Sequence, residues 1–305
     1  MHPAWWQTDP CLPFRLGPRE LPGRIWTASG CFGYGLSGID FTNRSGISPY
    51  DGLGAVVTKT LTPQPRLGNP MPRLCELPAG ALNSIGLENV GLAAFLRDQL
   101  PQLGRRGLPV IVSLAAGDAP QFGDMAQRLR AAAADLPHWH GIELNLSCPN
   151  VAEGGLDFGR DPRLVAACVT AVRPHLPDRI LIAKLTPNVS RIAPIARAAQ
   201  ESGADAVTAI NTVLGLEVDL ASGRPVLPRR CGGYSGPALL PIALAKVDEI
   251  VREVGIPVVG VGGIGGPQDA LKFFALGAVA VQVGTAQMRD PFAAATIAAA
   301  LRPEL

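Results

Sequence analysis

The chain has 305 residues, 47% hydrophobic and 17% charged, with 27 Lys and Arg against 25 Asp and Glu for a net charge of +2. That length carries one large barrel or two average domains with a sizeable core. The even charge balance leaves no electrostatic footprint for nucleic acid or an acidic membrane surface. Six scattered cysteines (Cys11, Cys31, Cys75, Cys148, Cys168, Cys231) form no Cys-x-x-Cys pair, which argues against a zinc or iron–sulfur site. Met1-His-Pro-Ala-Trp-Trp6 lacks the basic start and apolar run of a secretory leader. With no uninterrupted apolar stretch near about 18 residues, the expectation is a cytoplasmic protein that does not enter a membrane. Gly (35) and Pro (29) are abundant and fall between apolar runs, so they read as loops rather than disorder.

Taken in order, Gly23–Gly30 reads as a strand entering the glycine-rich turn Cys31-Phe-Gly-Tyr-Gly35, and Ala55–Leu61 as a second strand. A long loop, 62–88, holds Asn83-Ser-Ile-Gly-Leu87, and a loop of that length inside a domain is usually functional. A helix over 90–100, a strand over 109–115 and a helix over 121–135 follow. Gly141-Ile-Glu-Leu-Asn-Leu-Ser147 alternates, with Ile142, Leu144 and Leu146 on one side and Glu143, Asn145 and Ser147 on the other. It stops at Cys148-Pro-Asn150. Beyond it come a helix over 162–172, a strand over 179–186, a helix over 192–201 and a strand over 205–212. A second long loop, 213–236, precedes a helix over 238–254, a strand over 256–263, a helix over 268–276, a strand over 278–285 and a last Ala-rich helix from Phe292.

About eight short apolar strands alternating with helices predict an α/β fold, a (β/α)8 TIM barrel in a single domain of 305 residues with long loops covering the substrate. An open doubly wound sheet fits the regular alternation less well. Barrel enzymes keep their chemistry at the C-terminal strand ends. Lys59, Asn145, Lys184 and Asn211 all fall there, and two lysines on otherwise apolar strands call for a common anionic or electron-rich ligand. Cys148 stands just past its strand, where the flanking Asn145, Ser147 and Asn150 favour a working thiol over a buried apolar one. Gly260, Gly262 and Gly265 follow the seventh strand, and Gly284-Thr285 ends the eighth. In barrels these loops commonly hold a phosphate on backbone N–H groups. With Lys184 opposing charge on a reduced ring, the phosphate suggests flavin mononucleotide (FMN).

Ile142–Val151, Asn83–Leu87, Lys184-Leu-Thr-Pro-Asn188, Ile210-Asn-Thr212, Gly233-Tyr-Ser-Gly236 and Gly262-Gly263 together resemble the class 1 dihydroorotate dehydrogenases, over about Ser29 to Thr285. Glu153-Gly-Gly155 through Phe158-Gly-Arg-Asp161 is similar to the NAD-linked class 1B branch rather than the fumarate-linked 1A branch. The class 2 membrane enzymes have a serine where this chain has Cys148.

The resemblance implies oxidation of (S)-dihydroorotate to orotate in pyrimidine (UMP) biosynthesis, with Cys148 as the general base and the hydride going to FMN. It assigns the substrate to Lys59, Asn83, Ser84, Ile85, Gly86, Leu87, Asn145, Asn150, Asn211 and Thr212. It assigns the flavin to Ser29, Gly30, Lys59, Thr60, Ser113, Asn145, Lys184, Ile210, Gly236, Gly262, Gly263, Gly284 and Thr285. Ser113 stands where the family commonly has an Asn, which shortens the reach of that contact. Cys31 reads as incidental to the glycine-rich turn, and Cys11, Cys75, Cys168 and Cys231 take the structural reading by default. The resemblance further implies a homodimer core and a separate electron-transfer subunit carrying FAD and a 2Fe-2S cluster, a heterotetramer in all, passing electrons to NAD.

Three other readings fit parts of the pattern. A dihydrouridine synthase would need a tRNA-binding surface and an extra helical domain, which this near-neutral chain leaves no room for. An FMN-dependent reductase of another dihydropyrimidine would differ mainly in the substrate loops. A non-enzymatic barrel binding a phosphate ligand would have no use for Cys148.

Overall fold

Short runs of β-branched and small residues form eight strands, and their two faces bury against different things. A computed structural model describes residues 10, 12–36, 42–104, 107–147 and 158–302. The strands are β1 (Ile25–Thr27), β2 (Ala55–Val57), β3 (Val110–Leu114), β4 (Trp139–Asn145), β5 (Ile180–Lys184), β6 (Ala206–Ala209), β7 (Val258–Val261) and β8 (Ala280–Val283). They pair in parallel in sequence order and close, β5 meeting β6 and β8 meeting β1. The fold is therefore the expected (β/α)8 barrel.

Alternation within each strand explains the core. Val56, Val112, Ile142, Leu144, Leu181, Val207 and Val281 face outward and pack with helix residues such as Phe122, Val169, Ala196, Val247 and Phe273. Their neighbours Val57, Ile111, Ile180, Ile182, Val259 and Ala280 form a second buried cluster inside the barrel. Two helices start where the chain supplies its own cap. Asp118 and Asp161 accept hydrogen bonds from the N–H groups of Gln121 (2.8 Å) and Arg163 (2.9 Å), and each is followed by a proline in the first turn. The helix over Pro162–Val172 has the bounds the sequence predicts. The stretch expected as one helix over 90–100 is instead Leu92–Ala94, a widened turn Phe95–Gln99, and Leu100–Gly104. Pro101 follows the wide turn. It has no N–H to give, and its ring would clash with the carbonyl one turn back in a regular helix.

Two features go beyond the predicted elements. An antiparallel hairpin, Phe14–Leu16 with Arg19–Leu21, puts Phe14, Leu16 and Leu21 into the inner cluster against Trp26. It closes the N-terminal end of the barrel. Leu21 is fully buried, so Leu21→Ala is expected to cost about 2–5 kcal/mol. Urea unfolding checks this as a lower midpoint at unchanged slope.

The second feature corrects the reading of 62–88 and 213–236 as loops. Leu74–Leu77, Gly80–Asn83, Cys231–Ser235 and Val213–Leu216 form one four-stranded antiparallel sheet. Its glycines are why it reads as loop. A Cβ on Gly80 would stand 2.1 Å from the Ser235 carbonyl oxygen, and one on Gly233 would stand 2.2 Å from Thr212 Oγ1. Bare backbone is what lets these strands pack so closely. Among the described residues no helix is long and apolar enough to cross a membrane.

Candidate active site

The C-terminal ends of the strands open into a cavity of about 360 Å³, with the four-stranded sheet forming part of its wall. That volume lies within the range of small-molecule sites. The inward alternation that is apolar at the bottom of the barrel turns polar here. Lys59 follows β2, Asn145 ends β4, Lys184 ends β5 and Asn211 follows β6, and all four line the cavity. Each is carried on rigid backbone: the Lys59 N–H donates to the Gly33 carbonyl at 2.7 Å, and the Asn211 N–H to that of Leu185 at 2.9 Å.

A chain of hydrogen bonds runs along the floor. Ser29 and Thr60 share one between their hydroxyls at 3.0 Å, and Thr60 shares another with Ser113 at 2.9 Å. Asn145 Nδ2 donates to Thr60 Oγ1 at 3.2 Å, and Asn211 Nδ2 donates to Asn145 Oδ1 at 3.3 Å. The Thr212 N–H donates to Asn211 Oδ1 at 2.8 Å. Because each link fixes the next, the amides are presented to the cavity already oriented. From the covering sheet, Asn83 donates to the Gly233 carbonyl at 3.1 Å, which ties the loop after Asn83 to the strand opposite. Ser84, Ile85, Gly86 and Leu87 line the same mouth.

On the other side the wall is backbone. Gly236, Gly262, Gly263 and Gly284 line it together with Ile210 and Thr285. Gly236, Gly262 and Gly263 have φ of 117°, 128° and 77°. These are conformations that favour glycine, and without side chains the peptide groups themselves face the cavity.

Of the residues singled out in the sequence, the cavity wall therefore gathers Ser29, Gly30, Lys59, Thr60, Asn83 through Leu87, Asn145, Lys184, Ile210, Asn211, Thr212, Gly236, Gly262, Gly263, Gly284 and Thr285. Ser113 is not in the wall. It is fully buried behind Thr60 and reaches the cavity only through that hydroxyl. Cys148, Asn150 and the stretch Glu153–Gly155 lie outside the described residues.

Two cysteines depart from their expected places. Cys31, read as incidental, lines the cavity. Burial pushes its thiol above the ordinary value, and Lys184 and Lys59 only partly oppose this, so it stays neutral near pH 7. Cys231, read as structural, is exposed at the mouth. Cys168 keeps the structural reading: it is buried on its helix, and burial, aided by Asp118, pushes its thiol up to about 12.

The sequence reading also assigned no role to Asn69, Ser147 and Asn188, all in the wall. Asn188 is fully engaged, donating to Thr186 Oγ1 (3.0 Å) and the Thr212 carbonyl (3.1 Å) and accepting from the Leu214 N–H (2.9 Å). It holds the segment that carries Thr212. Its signal was the Thr186-Pro-Asn188 turn directly after β5.

The family model for dihydroorotate dehydrogenase matches residues 15–305. The chain belongs to the dihydroorotate dehydrogenase family. Within it, a protein of Solidesulfovibrio magneticus named dihydroorotate dehydrogenase B (NAD(+)), catalytic subunit, is 45% identical over 95% of this chain and 92% of its own length. Proteins of the same name from Geotalea uraniireducens and Bacillus mycoides are each 43% identical, over 95% and 91% of this chain and 91% and 88% of their own lengths. The family match over residues 15–305 takes in all eight barrel strands and the covering sheet. This member of the dihydroorotate dehydrogenase family thus places its strand-end lysines, amides and glycines around a single cavity.

Proposed function

We propose that this chain is a class 1B dihydroorotate dehydrogenase catalytic subunit: one FMN-binding barrel domain that oxidises (S)-dihydroorotate to orotate in pyrimidine biosynthesis. The observation that carries the reading is one cavity that joins two kinds of lining. Glycine backbone at 236, 262, 263 and 284 meets the side chains of Lys59, Asn83, Asn145, Lys184, Asn211 and Thr212.

The residues fit FMN. A phosphate needs N–H donors and no side chains in the way, which the positive-φ glycines at 236, 262 and 263 supply. A flavin ring needs hydrogen-bonding edges, which Ser29, Thr60, Asn145 and Lys184 line. FMN bound there supplies the hydride acceptor.

The remaining steps belong to the chain's own residues. Converting dihydroorotate to orotate removes a proton from C5 and a hydride from C6. Lys59 neutralises the substrate carboxylate. Asn83, Asn145, Asn150, Asn211 and Thr212 read the pyrimidine amides, each amide side chain offering both a donor and an acceptor. Cys148 takes the C5 proton. An ordinary thiol titrates near 8.5, close enough to neutrality for that task.

The names of the relatives carry "NAD(+)" and "catalytic subunit". We extend this to the present chain as electrons passed to NAD through a separate subunit bearing FAD and a 2Fe-2S cluster. A homodimer core, a heterotetrameric whole and a cytoplasmic location belong to the same proposal.

The test is an anaerobic visible spectrum of the purified chain before and after dihydroorotate is added. A yellow protein bleached by dihydroorotate is expected. A yellow protein bleached only by another dihydropyrimidine would keep the flavin and replace the substrate. A colourless protein that cannot take up FMN would overturn the reading.

A further inference from the structure

Directly beneath Lys184 sits a charge that the proposed reaction does not use. Glu143, on the inward face of β4, is fully buried and is not part of the cavity wall. Its Oε2 accepts from Thr208 Oγ1 of β6 at 2.8 Å and from Gln282 Nε2 of β8 at 2.7 Å. Its Oε1 has no hydrogen-bond partner and faces Lys184 Nζ at 3.7 Å.

The register produces this arrangement. Asn145 lies beside Lys184, which lies beside Thr208, so Glu143, Thr208 and Gln282 of alternate strands form one layer below the cavity floor. Two neutral donors pin one oxygen and leave the other for a cation. Lys184, itself only 7% exposed along its side chain, is suspended between that oxygen and the cavity. Among the described residues, the Cys31 thiol feels both Lys184 and Lys59.

We infer that Glu143 is a positioning residue that acts through Lys184: it is the counter-ion that fixes where the ammonium lies and offsets its charge at the flavin's site. The inference rests on the FMN reading above. A lone cation lining the flavin's site would hold the reduced flavin tightly. A cation paired from below leaves the electrons easier to pass on. The Coulombic effect is large in a buried layer because little water screens it.

The experiment is a spectroelectrochemical titration of the bound flavin in the purified protein. Glu143→Gln is expected to raise the reduction potential by at least tenfold in the equilibrium ratio, about 30 mV for a two-electron couple. Lys184→Met is expected to lower it. In the Lys184→Met background the added Glu143→Gln should leave it nearly unchanged, because the ammonium through which Glu143 acts is gone. Glu143→Asp, which draws the carboxylate back from that ammonium, should raise the potential in the same direction and keeps the test open if Glu143→Gln alone does not accumulate as folded protein. An unchanged or lowered potential on replacing Glu143 where Lys184 is present, or an equal rise in the Lys184→Met background, would overturn the inference while leaving the FMN reading intact. Wild-type protein that takes up no flavin would defeat both.

Discussion

Cys148→Ala is expected to slow anaerobic bleaching of the bound flavin by dihydroorotate by about 10²–10⁴-fold at pH 7, the usual contribution of a positioned general base. The reasoning is chemical. The C5 proton has to leave toward a group that is partly ionised near neutrality, and the strand-end motif supplies a thiol with amides on both sides. Flavin content should be unchanged, because the wall assigned to the cofactor is made of other residues. Stopped-flow absorbance separates the two effects. The wild-type rate should rise with pH as the thiol ionises, toward its ordinary value of about 8.5. That dependence should vanish in the alanine variant. Bleaching within tenfold of wild type would remove Cys148 from the role. The expected loss would also exclude a barrel that merely binds a phosphate ligand, for which this thiol would be idle.

Gly263→Ala is expected to weaken FMN binding by at least tenfold and to lower the unfolding temperature of the flavin-loaded protein. Two costs coincide. Gly263 has φ of 77°, and holding a side chain in such a region costs about 1–3 kcal/mol. A Cβ there would also stand 2.5 Å from the backbone nitrogen of Leu240 and 2.7 Å from its Cα. Leu240 opens the helix Leu240–Glu253, so relief of the contact has to move backbone at the cavity wall rather than a flexible side chain. Gly266→Ala is the control: its φ of −161° is extended backbone, and nothing lies within 4 Å of the added carbon. Flavin fluorescence titration of both variants should show the loss only for Gly263→Ala. Equal affinities would mean that this glycine does not face the cofactor.

Much of the site was legible because a barrel converts position along a strand into position in space. Lys59, Asn145, Lys184 and Asn211 lie far apart in the chain, yet each stands at or just past the C-terminal end of a strand, and closure alone brings them to one mouth. Ser113 shows the limit of that argument. The strand end was right, but the side chain stops short of the cavity and works through Thr60.

What the sequence by itself determined is what short-range physics decides: alternation along β4, the bounds of the helix over 162–172, and the glycines at the ends of the seventh and eighth strands. Only the tertiary structure decided the rest. The covering sheet depends on Gly233 of one insertion lying beside Asn83 of another, and its glycine-rich strands carry no period to announce it. The hairpin that plugs the barrel is three residues to a strand, and its apolar side chains acquire meaning only against Trp26. Glu143 shares its inward face with Asn145, yet whether such a carboxylate meets water or a cation depends on Thr208, Lys184 and Gln282, carried by three other strands. Pairings between remote segments leave no local trace, because the forces that select them act only after the chain has closed.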